Sequence, residues 1–144
     1  MPRTTPTMSP EIVNLHPDPW TEPFWRAARE HRLTAPRCTT CGTFRMPPTG
    51  FCRKCRAQGV DWVQLVGSGT VYSFTVTHQA LIPQLAAYTP YVIAVVELDD
   101  APGIRLVTNL VDAEIETVRI GMPVTVVWDD VHEHATIPRF TPSA

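Results

Sequence analysis

Four cysteines carry the clearest chemistry in this 144-residue chain: Cys38, Cys41, Cys52 and Cys55, spaced C-x2-C-x10-C-x2-C. Two residues between cysteines let one tight turn aim both sulfurs at a single point. Two such turns supply a closed tetrahedron of thiolates. Thiolates select zinc or iron, and this paired spacing reads as zinc. Gly42, directly after the first pair, suits a knuckle turn that needs a positive backbone dihedral. Two disulfides are the competing arrangement, and the paired spacing and an expected reducing compartment argue against them. Four protein ligands leave no position for a water, so the expected Zn2+ is structural. It staples about twenty residues that have too little core of their own.

No catalytic residue is expected. The histidines are His16, His31, His78, His132 and His134, and every cysteine is already used. Neither a Ser-His-acid nor a Cys-His set can therefore be assembled. His78 ends a strand-like segment. His132 and His134 lie two apart, which on a strand puts both rings on one face. Their place among acids near the C-terminus favours a solvated loop. Gly67-Ser68-Gly69 precedes a strand rather than a helix, so it is not a phosphate cradle.

The elements that must position the cysteines can be read from periodicity. Residues 1–20, with five prolines, form an extended arm. Thr21 is the expected N-cap of an amphipathic helix assigned to residues 21–35, its helical core about 22–33, with Glu22 and Pro23 suiting its first turn and Pro36 stopping it. The zinc ribbon spans 36–58. Residues 59–144 hold short segments of two-residue or continuous apolar pattern: 60–66, 70–78, 91–98, 104–111, 123–129 and 135–140. For five or six short strands with glycine breaks at Gly67 and Gly69, the economical architecture is a small closed barrel, the OB-fold, with a two-sheet sandwich as the alternative. The fold class is therefore mainly β: an N-terminal helix, a zinc ribbon, then a five- to six-stranded OB-fold barrel.

Composition sets outer limits. The chain is 44% hydrophobic and 18% charged, which suits a folded domain. It has no apolar run of about eighteen residues, so no membrane span is expected. The expected compartment is cytoplasmic. The formal charge of -2 conceals an asymmetry. From Arg26 to Arg56 eight basic residues stand against Glu30 alone. From Ala57 onward ten acids stand against three arginines, a net of -7. The basic half favours an anionic partner, or the two halves attract each other.

An ordered set of motifs goes further. Phe24-Trp25 precedes Cys38-Thr39-Thr40-Cys41-Gly42, Arg45-Met46-Pro47-Pro48 and Cys52-Arg53-Lys54-Cys55. Gly67-Ser68-Gly69-Thr70-Val71-Tyr72-Ser73, Pro90-Tyr91-Val92-Ile93-Ala94 and Ile120-Gly121-Met122-Pro123-Val124 follow. Over residues 20 to 142 this resembles the family of OB-fold proteins with a rubredoxin-like zinc ribbon that accompany acyl-CoA enzymes. The resemblance implies a non-catalytic accessory subunit. Its partner would be a thiolase-like enzyme, a thiolase or a retro-aldolase of steroid side-chain or lipid degradation, or a hotdog-fold enoyl-CoA hydratase. It also implies a coenzyme A thioester shared with that partner.

Residue chemistry is compatible with this role. Arg26, Arg29, Arg45 and Arg53 are candidates for CoA phosphates or an acidic partner face, because arginine forks match phosphate oxygens. Phe44, Pro47, Pro48 and Phe51 lie in a ribbon with little core to hide them and are candidate partner contacts. The competing function is a single-stranded nucleic-acid-binding module, since ribbons and OB barrels both serve that purpose. The acidic barrel and a pI near 6.2 count against it. A self-sufficient enzyme using His78, or His132 with His134, is the weakest reading.

Overall fold

The computed structural model describes residues 10–144. Positions 1–9 of the expected arm lie outside the described residues. The described part of that arm enters through a turn closed by Asp18. Its carboxylate accepts the amides of Trp20 (3.0 Å) and Thr21 (2.8 Å) and the Thr21 hydroxyl (2.9 Å). Those bonds hold the Asp18 carboxyl below its ordinary value, the Thr21 amide contributing most. Thr21 does occupy the N-cap of the helix, but its hydroxyl serves Asp18 and makes no capping bond.

Helix α1 spans Glu22–Arg29 and buries Phe24, Ala27 and Ala28 on one face. It is shorter than expected. His31 adopts φ 57, the His31 amide bonds to Ala28 (2.9 Å) and the Arg32 amide reaches back to Ala27 (3.0 Å). This is a left-handed Schellman stop, usually made by glycine, placed five residues before Pro36. Leu33 is buried, but in the extended chain that follows the helix.

Strand β1 (Thr34–Cys38) pairs antiparallel with β2 (Val60–Gln64), Pro36 opposite Trp62. Pro36 thus sits within a strand of a two-stranded sheet instead of ending a helix. The segment starting at residue 60, expected in the barrel, instead closes the ribbon.

The barrel has five strands: β3 (Ser68–Thr77), β4 (Tyr91–Leu98), β5 (Arg105–Leu110), β6 (Pro123–His132) and β7 (Ala135–Pro142). They close in the order β3-β4-β5-β7-β6, with β6 returning to β3. Inward positions alternate as a half-buried strand requires: Val92, Ala94, Val96 and Leu98 of β4 are all buried. Phe140, Val71, Val124 and Leu110 fill the barrel from the other strands. The same cluster takes in Phe24, Leu33 and Ala35, so helix, ribbon stem and barrel share one core.

Gly69 makes the closure possible. It faces Leu98 of β4 and Val124 of β6 at once, where β3 passes from one neighbour to the other. A Cβ there would lie 2.5 Å from the Glu97 carbonyl oxygen.

The parallel β5–β7 seam carries one bridge pair, Leu110 with Phe140. Side chains complete it. The Thr108 hydroxyl donates to the Pro138 carbonyl (2.8 Å), and Arg139 donates to the Asn109 side-chain oxygen (2.6 Å) and to Asp129 (3.3 Å). Burial pulls Arg139 below its ordinary value, and the Asp129 charge offsets this.

Candidate metal centre

Both cysteine pairs sit on knuckles of the same construction. In the first, the Cys38 amide bonds to Thr43 (2.9 Å) and the Gly42 amide to Cys38 (3.0 Å). In the second, the Cys52 amide bonds to Ala57 (2.8 Å) and the Arg56 amide to Cys52 (2.9 Å). Gly42 and Arg56 therefore hold equivalent places, and both have positive φ, 76 and 67. Glycine tolerates that conformation; for arginine it costs about 1 kcal/mol.

The two knuckles bring the sulfurs together. Cys38 Sγ lies 3.5 Å from Cys55 Sγ, Cys41 Sγ lies 3.6 Å from Cys52 Sγ, and all four fall within 4.8 Å. These are not disulfide distances, and the cysteines are free. A zinc–sulfur bond of about 2.3 Å demands tetrahedral edges of about 3.8 Å. The donor set therefore fits a four-coordinate zinc, with Cys38 and Cys52 buried beneath it.

Electrostatics point the same way. Amide hydrogen bonds lower Cys38, chiefly from Cys41, and Cys52, chiefly from Cys55. The Thr43 hydroxyl, 3.2 Å away, does the same for Cys41. The Ala57 amide also favours a Cys55 thiolate. Desolvation and the three neighbouring sulfurs outweigh it and push the Cys55 thiol up to about 11. Without a cation the cluster keeps a proton; a divalent metal would displace it.

The candidate arginines are dispersed. Arg26 is exposed on α1, and Arg29 pairs with Glu22 at 3.3 Å. Arg45 is only 4% exposed. Its guanidinium donates to the Ala57 (3.2 Å) and Gln58 (2.8 Å) carbonyls, tying the exit of the second knuckle to the ribbon stem. Arg45 is thus a structural brace rather than a surface contact for phosphate or a partner. Arg53 is exposed and faces the barrel turn at Gly103.

The candidate interface residues divide too. Phe44 is half-buried beneath the Arg37 guanidinium and bridges to Arg37. Phe51 is 61% exposed. Pro47 and Pro48 line an apolar groove of about 160 Å³ where the ribbon meets Phe24, Trp25 and Trp62.

His31 and His132 line one open hollow with Asp130 and Glu133. His78 is exposed. His132 bonds to the Val13 carbonyl (3.3 Å) and accepts the His134 amide (3.1 Å); His134 pairs with Glu133 (3.1 Å). His31 has a role its sequence position gives no sign of. Its ring stacks on Trp128 at 5.6 Å and its Nε2 lies 2.9 Å from Asp130, fixing the end of α1 to β6.

Comparisons with known proteins match this architecture. Residues 25–61 match the rubredoxin-like zinc ribbon domain of ChsH2, and residues 62–129 its C-terminal OB-fold domain. The chain is similar to a probable enoyl-CoA hydratase alpha subunit of Thermomonospora curvata, 42% identical over 83% of this chain. It spans only 37% of that relative's length. It is 37% identical to a DUF35 domain-containing scaffold protein of Methanocaldococcus jannaschii, over 76% of this chain and 77% of that one. Among solved structures, the "Ltp2-ChsH2(DUF35) aldolase" superposes with a TM-score of 0.82 at 37% identity, covering 91% of this chain and 100% of that one. With the ribbon and the barrel matched in order along one chain, this protein belongs to the ChsH2/DUF35 family.

Proposed function

We propose that this chain is a zinc-bearing, non-catalytic accessory subunit of an acyl-CoA thiolase-like complex, a thiolase or retro-aldolase. The observation that carries the reading is the match to the ChsH2(DUF35) chain of an aldolase, which this protein covers completely. The zinc, held by Cys38, Cys41, Cys52 and Cys55, fixes the ribbon's shape and takes no part in chemistry, because its shell is closed. The histidines' own bonds agree with chemistry residing on a partner.

The partner's substrate would be a CoA thioester, of steroid side-chain or other lipid origin. Of the four candidate arginines, Arg26 and Arg53 are exposed and outside any ion pair among the described residues, available to its phosphates or to the partner itself. The apolar groove beside Pro47 and Pro48 is a second place for partner contact.

A hydratase partner is the second reading, favoured by the similarity to a hydratase alpha subunit. Because this chain spans 37% of that relative, the remainder of the relative is not represented here.

The test is co-expression with the nearest encoded thiolase-like protein, followed by size-exclusion chromatography, zinc analysis and acyl-CoA turnover. A zinc-containing complex, active where neither component is active alone, is the expected result. A chain that elutes alone and leaves turnover unchanged with thiolase-like and hydratase candidates would overturn the reading.

A further inference from the structure

Most cations of this chain are engaged within it. Arg29, Arg32, Arg105 and Arg139 each face a carboxylate. Arg45 and Arg119 bond to carbonyls, and Arg37 lies over Phe44. Among the described residues that leaves Arg26, Arg53, Lys54 and Arg56. Three of these four share the six-residue second knuckle, Phe51 to Arg56, and all three are exposed.

Two further features mark this turn. Phe51, 61% exposed, opens it, so a large apolar ring stands in solvent on the same turn that carries the three charges. Arg56 closes it at φ 67, in the place that the first knuckle gives to Gly42 at φ 76. Folding alone would favour glycine at both positions. A strained residue whose side chain makes no hydrogen bond, ion pair or ring contact among the described residues points to a demand from outside.

We propose that the second knuckle is a docking knob for an acidic face of the partner subunit. Phe51 enters an apolar socket there, and Lys54 and Arg56 lie over carboxylates. The inference rests on the accessory-subunit reading. An exposed aromatic residue and three exposed cations within one six-residue turn have the composition of an interface anchor. The charge pattern favours a protein over a nucleic acid: from Ala57 onward the chain carries a net charge of -7, which would repel an extended polyanion lying across it. A partner protein offers a local acidic patch and need not run past the barrel.

Arg56→Gly separates docking from folding, because the two should change in opposite directions. In the complete chain, this substitution should raise the melting temperature while weakening the complex with the co-expressed thiolase-like subunit at least tenfold. It should also flatten the dependence of affinity on salt. Lys54→Glu, at a position without left-handed strain, should weaken the complex further with little change in melting temperature. Arg56→Gly and Lys54→Glu chains that bound the partner as tightly as the unaltered chain would overturn the proposal while leaving the accessory-subunit reading intact. An unaltered chain that bound no such partner would overturn that reading and this inference with it. Salt-sensitive binding of a single-stranded oligonucleotide, lost in both variants, would assign the knob to nucleic acid and overturn the protein assignment.

Discussion

Arg139 donates to the side-chain oxygen of Asn109 at 2.6 Å, across the one seam of the barrel held by a single bridge pair. The same guanidinium meets Asp129, and the pair is nearly sealed from water, with 9% and 4% of the two side chains exposed. Arg139→Ala removes the cation and leaves a buried carboxylate without it. Breaking a buried pair from one side costs about 3 kcal/mol or more. Denaturant unfolding should show that loss. Asn109→Ala, which removes the bond from Arg139 and the Asn109 amide's own bond to the Val92 carbonyl (3.0 Å), should cost about 2 kcal/mol. Equal and negligible losses would mean that the seam is held by its backbone alone.

Cys52→Ser should release the metal and disorder the ribbon between Cys38 and Val60. Much of the barrel should survive, because its inward side chains come from β3 to β7. Zinc content and residue-resolved amide exchange measure the two effects separately. Retention of one zinc at full affinity would contradict the four-thiolate assignment.

Gly69→Ala should destabilise the barrel by about 3 kcal/mol. The added methyl meets the Glu97 carbonyl at 2.5 Å and Val96 at 2.6 Å, and a backbone atom cannot swing aside. Gly121→Ala is the control: its φ of 88 carries strain, but nothing lies within 4 Å of the added carbon. It should cost about 1 kcal/mol. Thermal melts of the two variants should rank in that order.

Asp130 sets an acid limit on helix attachment. Bonds from His31, and then from Thr136, hold its carboxyl below the ordinary carboxylate value. A depressed folded value means the contribution is complete above the unfolded pKa of about 3.9 and disappears as pH falls through the folded one. The pair is solvent-exposed, so the effect is under about 1 kcal/mol. Melting temperature followed from pH 6 to pH 2 should therefore fall less in Asp130→Asn than in the unaltered chain.

The cysteine pairs and the barrel strands were legible because each is specified locally. Two-residue spacing defines a knuckle, and alternation defines a half-buried strand. The end of α1 was not, because the residue that stops it is a histidine. Its left-handed backbone is accompanied by contacts to Trp128 and Asp130, nearly a hundred positions away. Likewise, nothing in the sequence separates Arg45 from Arg53. One is buried because two carbonyls at Ala57 and Gln58 turn inward to meet it, and only the folded ribbon brings them there. The segment from residue 60 shows the limit of pattern itself. A strand was expected there and formed, but periodicity cannot say whether its neighbour is a barrel strand or β1.

The metal loop begins and ends at one place: past the last β1–β2 pair, the Thr39 amide still bonds to the Gly59 carbonyl at 3.2 Å. A loop whose ends meet can lengthen at a cost that grows only with the logarithm of its size. The segment between those residues is therefore free to drift in length or be exchanged for another metal-binding turn without altering the barrel's register. Phe44 and Met46 are the condition on such a graft, since both pack onto the shared core and would have to be supplied again.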